Sequence, residues 1–177
     1  MNFIGIVSDS KCFENIKNKV KHKEIKLIHI SKNCIGNIKN IKFEILIIND
    51  DLKKYEHELR TLEFICSNSK YILINTDLNT KLSLNIEKQS TIITYGLNQK
   101  ATVTVSSITE GSVLIYLQRN IKNIKQNTIE VGEELIKIYE NNNLKIYEIL
   151  IIYMIYLLND LPITVKMLEK SNFFEKN

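Results

Sequence analysis

The sequence predicts an α/β protein of the Rossmann-like type, in which helices cover both faces of a mainly parallel sheet. Compact apolar runs alternate with segments whose apolar residues recur at helical spacing, as in strand–helix–strand units. Polar residues follow these runs directly, as they do where buried strands end. The chain has 177 residues, 44% of them hydrophobic, which suits one domain with a substantial core.

The first half of the chain supplies the predicted strands. The segment from Phe3 is a compact apolar run that ends in polar residues, and the segment from Phe43 is the clearest buried strand in the chain. The five strands are "FIGIVSD" from Phe3, "EIKLIHI" from Glu24, "FEILIIND" from Phe43, "YILINTD" from Tyr71 and "TIITYG" from Thr91. We therefore predict a parallel five-stranded sheet within a three-layer domain.

Two segments between these strands predict crossover helices. The apolar residues of "SKCFENIKNKV" fall on one helical face, and Ser10 can cap its start. Asp50 or Asp51 is predicted to cap a second helix through "LKKYEHELRTLEFICSN". The segment from Ser31 to Lys42 is too irregular to predict more than a short helical turn.

The pattern changes after Gly96. "ATVTVSSI" and "GSVLIYLQRN" predict an antiparallel hairpin, and a third extended piece is expected near "TIEVGEELIKIY". The chain is then apolar on nearly every side from Ile146 to Leu158, which is typical of a buried helix. We predict one domain over residues 1–162, with a small antiparallel β extension and this buried C-terminal helix, and a helix or loose tail over 163–177.

Composition and charge exclude several functional classes. The three cysteines form no CxxC pair, which favours buried thiols in a reducing compartment. The amino-terminal residues lack a signal-peptide pattern, and the apolar run from Ile149 to Leu158 is about half of a membrane span, so we expect a cytoplasmic protein without membrane insertion. Arginine occurs only at Arg60 and Arg119. This scarcity argues against nucleic-acid binding.

Polar side chains at the ends of the predicted strands form a candidate ligand site, because open parallel sheets bind ligands at the carboxyl ends of their strands. We call this set the carboxyl-end rim: Ser8, Asp9, Asn49, Asp50, Asn75, Asp77 and Tyr95. Its oxygen atoms suit Mg²⁺, the one cofactor that the set could take. Residues of these types also cap helices and shape turns. No catalytic triad or metal-ligand spacing is recognisable, so no catalytic residue is assigned.

Four stretches resemble, in order, the later half of the central ATP-binding domain of the Mur ligase family. They are "EILIINDDL" from Glu44, "KYILINTDLN" from Lys70, "TIITYGLNQKATVTVSSI" from Thr91 and "NLKIYEILIIYMI" from Asn143. In that family a strand ends at a Tyr/Phe-Gly turn before an antiparallel extension and a further helix. The resemblance implies this fold, with Gly96 supplying backbone freedom at the turn. Members of the family use ATP to join amino acids to peptidoglycan precursors, or glutamate to folates.

The sequence departs from the family where the family binds ATP. The first strand continues as "GIVSDSKCF", without the glycine-rich loop and Lys-Thr that wrap the phosphates. Gly5 falls inside the strand, and Asp9 would repel phosphate. No Asp–His pair follows Asn49, and Lys145 and Glu148 stand where the family has asparagines. A counterpart of the closing ligase domain is not expected in this chain.

Three functional hypotheses follow. The first is a non-catalytic Mur-ligase-like domain without a cofactor, which binds or scaffolds another protein or a second copy of itself. By resemblance, it would be linked to bacterial cell-wall or spore-envelope synthesis. The second is a small magnesium-dependent enzyme or phosphoryl-accepting regulator that uses Asp9, Asp50 and Asp77, with Lys100 as a loose match to the lysine of receiver-like proteins. The third is one subunit of a heteromeric ligase.

Overall fold

The computed structural model describes residues 1–80, 84–86, 90–138 and 143–163. Its strands are β1 (Asn2–Val7), β2 (Ile25–Ile30), β3 (Ile45–Ile48), β4 (Tyr71–Asn75), β5 (Thr91–Tyr95), β6 (Val103–Thr109), β7 (Ser112–Leu117), β8 (Ile121–Lys122), β9 (Thr128–Ile129) and β10 (Gly132–Lys137). The α-helices are α1 (Ser10–Lys19), α2 (Leu59–Ser67) and α3 (Ile146–Leu158). Two 3₁₀ segments span Lys32–Ile38 and Leu52–Glu58.

Most of the strands form one sheet. It is eight-stranded, in the order β10-β7-β6-β5-β4-β3-β1-β2. Neighbours from β2 to β5 are parallel, whereas β6, β7 and β10 pair antiparallel with one another. The protein is therefore a mixed α/β structure with a mostly parallel sheet, compatible with the predicted Rossmann-like fold. β8 and β9 form a separate two-stranded sheet.

The sequence predicted a small antiparallel extension of the parallel sheet, and in the structure the antiparallel strands continue the main sheet. β5 and β6 meet at a single backbone pair, Tyr95 with Val103, and the N–H of Gly96 donates to the Val103 carbonyl at 3.2 Å. Beside this pair the N–H of Thr102 donates to the Thr94 hydroxyl at 2.9 Å. We call this junction the β5–β6 seam. It joins the parallel and antiparallel halves with few backbone hydrogen bonds.

Two apolar cores, one on each face of the sheet, give the domain three layers. On one face α1 and α3 cover the sheet, and this core includes Ile4 of β1 and Ile115 of β7. On the other face the two 3₁₀ segments and α2 pack against residues such as Leu46 of β3 and Ile72 of β4. Because the first core reaches from β1 to β7, α3 lies over both halves of the sheet.

The predicted buried helix from Ile146 to Leu158 is confirmed as α3. Every residue from Glu148 to Tyr156 is buried. Glu148 accepts hydrogen bonds from the Asn15 side chain and the Lys145 N–H, which ties the start of α3 to α1. None of the helices in the described ranges has the length and apolar content needed to cross a bilayer. Beyond Ile163, the predicted terminal helix or tail lies outside the described residues.

The single helix predicted after Asp51 is wrong, because this segment forms two elements. Leu52–Glu58 is 3₁₀ and Leu59–Ser67 is α-helical. Tyr55 breaks the helical backbone, with φ −110° and ψ 21°. Its ring is buried and its hydroxyl donates to Asp50 at 3.1 Å, and these contacts favour the non-helical backbone. The predicted capping is confirmed at Asp51, whose carboxylate accepts the Lys53 N–H at 3.0 Å.

Candidate functional site at the strand carboxyl ends

The parallel strands bring the carboxyl-end rim to one edge of the sheet. β1 and β3 are neighbours there, but the chain leaves β1 towards β2 on one side and leaves β3 towards β4 on the other. Such a divergence is the usual ligand position in doubly wound sheets. Ser8 and Asp9 follow β1 at this point, and Asn49 and Asp50 follow β3.

Asn49, Asn75 and Tyr95 form one hydrogen-bonded group across β3, β4 and β5. The Asn49 carbonyl oxygen accepts the Asn75 amide and the Tyr95 hydroxyl, each at 2.9 Å. The Asn49 amide nitrogen donates to the Sγ of Cys12 at 3.3 Å. Asn75 and Tyr95 are fully buried. Burial raises the pKa of Tyr95 well above its usual range, so its hydroxyl keeps the proton that it donates.

Asp77 follows β4 and belongs to a second hydrogen-bonded group, which includes the turn that follows β5. Its carboxylate accepts hydrogen bonds from the Asn98 amide at 2.7 Å, the Leu97 N–H at 2.5 Å and the Tyr147 hydroxyl at 3.0 Å. Partial burial opposes ionisation of Asp77, but these donors outweigh it, and its pKa is lowered from the usual 3.8. The carboxylate therefore ties this turn to the start of α3.

Gly96 gives the Asp77 carboxylate the space that it occupies. A Cβ atom at Gly96 would lie 2.7 to 2.8 Å from the carboxyl atoms of Asp77. A side chain cannot fit there unless Asp77 moves. The sequence predicted a glycine for its backbone freedom, and the structure adds this steric reason, which depends on a residue nineteen positions earlier in the chain.

Ser8 and Asp9 bond to their own segment and to β2. The Asp9 carboxylate accepts the Cys12 N–H at 2.9 Å, so Asp9 caps α1 and the prediction of Ser10 is wrong by one residue. Ser8 is buried, and its hydroxyl donates to the Asp9 carbonyl at 3.0 Å. The Nε2 of His29 in β2 lies 2.9 Å from the Ser8 carbonyl oxygen, which links β2 to the end of β1.

Asp50 is held by the segment that follows it. Its carboxylate lies 2.6 Å from the Nζ of Lys54 and accepts the Asp51 N–H at 2.9 Å and the Tyr55 hydroxyl at 3.1 Å. The hydrogen bond and charge of Asp50 raise the pKa of Lys54. Every carboxylate of the rim therefore has a partner that positions a turn or a helix start.

The rim acids do not form the metal site considered from sequence. In the described part of the chain, no three His, Cys, Asp or Glu side chains are grouped closely enough to hold a metal ion. Asp9, Asp50 and Asp77 belong to three separate hydrogen-bonded groups. The described residues thus do not fit a magnesium site built on these three carboxylates.

The sequence missed several partners in these groups. Asn79 donates from its amide to the carbonyls of Asp50 and Asn75, at 3.0 and 3.1 Å, and so links the loops after β3 and β4. Cys12 contacts Asn49, and burial raises the pKa of its thiol to about 11. Tyr147 lies in the helix that was predicted to be buried, but its hydrogen bond to Asp77 was not predicted. A polar residue after a strand was the one available signal, and it does not identify the partner.

A cavity of about 470 Å³ lies at the opposite end of β4 and β5. We call it the amino-end cavity. Its lining is Lys70, Tyr71, Thr91, Ile92, Ile93, Thr102, Arg119, Asn120, Ile121, Lys122 and Gln126. Three of these side chains are cations and none is acidic. The scarcity of arginine was the one sequence signal that could have drawn attention to Arg119.

No protein-family model matches the chain, and no curated protein matches it significantly. We therefore infer its function from the contacts of its own residues.

Proposed function

We propose that this chain is a non-catalytic α/β domain that acts as a binding or scaffolding protein, related in fold to the later half of the Mur ligase central domain. A link to cell-wall or spore-envelope synthesis, with another protein or a second copy as partner, belongs to the same proposal. Its support is the way in which the rim residues are used.

The observation that carries the proposal is that the rim side chains are already bonded to one another or to other side chains and backbone groups of the protein. A catalytic site keeps groups with free hydrogen-bonding capacity aimed at a substrate. Here the Asn49 carbonyl oxygen already accepts two donors and the Asp77 carboxylate accepts three. These bonds favour a structural role for the edge of the sheet where an α/β enzyme usually holds its substrate.

The arrangement of strands and turns supports the proposed kinship. The strands β3, β4 and β5, which carry most of the resemblance, are parallel neighbours. The chain then passes through Tyr95 and Gly96 into an antiparallel pair, and afterwards into the buried helix α3. The position of Gly5 agrees with the absence of a phosphate-binding loop. A Cβ there would lie 2.7 Å from Ile30, so this glycine is needed for packing around β1.

Thermal unfolding with and without millimolar magnesium and ATP tests the proposal. A ligand that binds only the folded state raises the Tm, so an ATP-using domain should gain several degrees, whereas we expect a change below about 1 °C. A rise of several degrees that is lost in Asp77→Asn, and kept in the exposed control Asp160→Asn, would contradict the proposal. Such a result would assign the rim to nucleotide chemistry.

A second candidate, a phosphoryl-accepting regulator, is favoured by the strand order. The order β2-β1-β3-β4-β5 is shared by doubly wound proteins of the flavodoxin and receiver type. Asp50 follows β3 and Asp9 follows the adjacent β1. In the reaction, an Asp50 oxygen would form a bond to the phosphorus of acetyl phosphate while the bond from that phosphorus to the acetyl oxygen breaks and acetate leaves.

Mass spectrometry after incubation with acetyl phosphate and magnesium tests this second candidate. A phosphoryl-accepting regulator should gain the mass of one phosphoryl group. This gain should disappear in Asp50→Asn and persist in the neighbouring control Asp51→Asn. No gain in mass, or a gain that survives Asp50→Asn, eliminates it.

A further inference from the structure

We propose that the amino-end cavity binds a small organic anion, whose phosphate or carboxylate group is held by Arg119 and Lys122 and whose apolar body covers the strand ends. This deepens the proposed binding function by giving it a site and a ligand class. The site is distinct from the rim, because Tyr71 and Thr91 begin the strands that end at the rim.

The charge of the cavity is the first argument. Lys70, Arg119 and Lys122 line it together, and no acidic side chain does so among the described residues. Lys70 is neutralised by Glu44 at 2.8 Å. The side chains of Arg119 and Lys122 form no hydrogen bond and no ion pair with the described part of the chain. An anion in the cavity would therefore meet two cations that no described side chain neutralises.

The chemistry of the cations suggests the bound group. The guanidinium of Arg119 offers parallel N–H donors that match two oxygens of a phosphate or carboxylate, and the Lys122 ammonium adds a point charge. Neutral donors stand beside them. The Asn120 side-chain oxygen accepts the Val131 N–H at 2.9 Å, which orients its amide and leaves the NH₂ available.

The apolar residues in the lining indicate that the ligand carries an organic group in addition to its anionic group. Ile92 lines the cavity with 49% of its surface exposed, whereas Tyr71 and Ile93 in the same lining are already buried. Covering exposed apolar surface contributes roughly 25 cal/mol per Å². An organic body next to the anionic group would use this surface, whereas phosphate alone would leave it in water.

The volume limits the size of the ligand. A closed apolar cavity of about 150 Å³ holds one benzene ring, as the engineered lysozyme cavity shows. The amino-end cavity, at about 470 Å³, has room for a single ring together with its anionic group. It also falls within the range of roughly 300 to 1,000 Å³ that is usual for small-molecule sites.

Isothermal titration with phenyl phosphate tests the proposal, with benzoate as the carboxylate probe and benzyl alcohol as the neutral control. We expect the intact protein to bind one or both anions and not benzyl alcohol, and the tighter anion identifies the preferred group. Arg119→Gln and Lys122→Gln should each weaken binding about tenfold, because each removes a charged hydrogen-bond donor. Arg60→Gln removes the same charge elsewhere and should stay within about twofold.

Three results would overturn the anion site: no binding of either anion at millimolar concentration, equal binding of benzyl alcohol, or an equal loss of affinity in Arg60→Gln. The circular dichroism of each variant confirms that it is folded. Failure here is separable from failure of the proposed function. The ATP and magnesium experiment reports on the rim, so an unchanged Tm there together with no anion binding rejects the cavity alone.

Discussion

The two ends of the parallel strands differ in how far the nearby polar side chains are paired within the protein. At the carboxyl ends, Asn49, Asn75 and Asp77 bond to other groups of the protein and hold loops and helices in place. At the amino ends, Arg119 and Lys122 line a cavity without a bonding partner in the described structure. The residue types alone would have suggested the reverse, since strand carboxyl ends are the usual ligand edge.

This difference shows that the position of a polar residue in a doubly wound sheet does not decide its role. Its role depends on whether its hydrogen-bond donors and acceptors are already paired within the protein. A buried polar group whose donors and acceptors are paired stabilises the fold, and its loss leaves its partners unsatisfied. An exposed cation with no partner contributes little to stability and is free to bind a ligand. Substitutions at the two ends of the strands test this distinction.

The largest effect is expected for Asn75→Ala. This fully buried side chain donates to Asn49 and accepts the N–H groups of Asp77 and Leu78. Its removal leaves a cavity and unpaired groups, so the free energy of unfolding should fall by about 3 kcal/mol. Urea denaturation measures the loss. The exposed control Asn37→Ala should change it by less than about 0.5 kcal/mol, and equal losses would contradict a structural rim.

A somewhat smaller effect is expected for Gly96→Ala. The new Cβ would collide with the Asp77 carboxylate, so we expect a loss of about 2 kcal/mol. At Gly111 a Cβ meets nothing within 4 Å, so Gly111→Ala is the matched control and should be close to neutral. In a double-mutant cycle, Asp77→Ala should relieve most of the cost of Gly96→Ala. Additive losses would show that the collision is not the cause.

The third prediction concerns pH and Asp77→Asn. The folded-state pKa of Asp77 lies below its usual 3.8, so its ionisation stabilises the folded state above that pH. This stabilisation is lost as the pH falls through the folded-state pKa. The free energy of unfolding of Asp77→Asn should therefore lie about 1 kcal/mol below wild type at neutral pH, and the gap should close in acid. A gap that is independent of pH would contradict the hydrogen-bonded carboxylate.

The smallest effect on stability is expected for the double variant Arg119→Gln/Lys122→Gln. Neither side chain has a bonding partner in the described residues, so the free energy of unfolding should change by less than about 0.5 kcal/mol. At low salt it should rise slightly, because a repulsion between like charges is removed. Urea denaturation at low and high salt checks both statements. A loss comparable to that of Asn75→Ala would remove the contrast between the two ends.

The fold could be predicted from the sequence where apolar patterns are strong. The run from Ile146 to Leu158 is apolar on all sides, and no alternative to a buried helix fits it. The helix predicted after Asp51 failed at Tyr55, whose ring is buried and whose hydroxyl donates to Asp50 five residues earlier. The apolar periodicity continues through this residue and gives no sign of the break.

The site was less predictable for a geometric reason. The rim residues could be placed at one edge, because parallel strands share an orientation, but their partners could not. Asp77 contacts Tyr147 across seventy positions of the chain, and Lys70 and Arg119 line one cavity only because of the strand order. Sequence spacing carries no signal for either approach. The amino-end cavity therefore had to be found in three dimensions.

The β5–β6 seam has a consequence for the order in which the molecule can assemble. Because one backbone pair joins the two halves of the sheet, the packing of α3 over both halves contributes much to the stability of their junction. Every strand of the main sheet precedes α3 in the chain, so all of them leave the ribosome before this helical cover of the apolar face is synthesised. The packing of α3 onto the sheet is therefore a late step in folding, which follows the synthesis of all the strands.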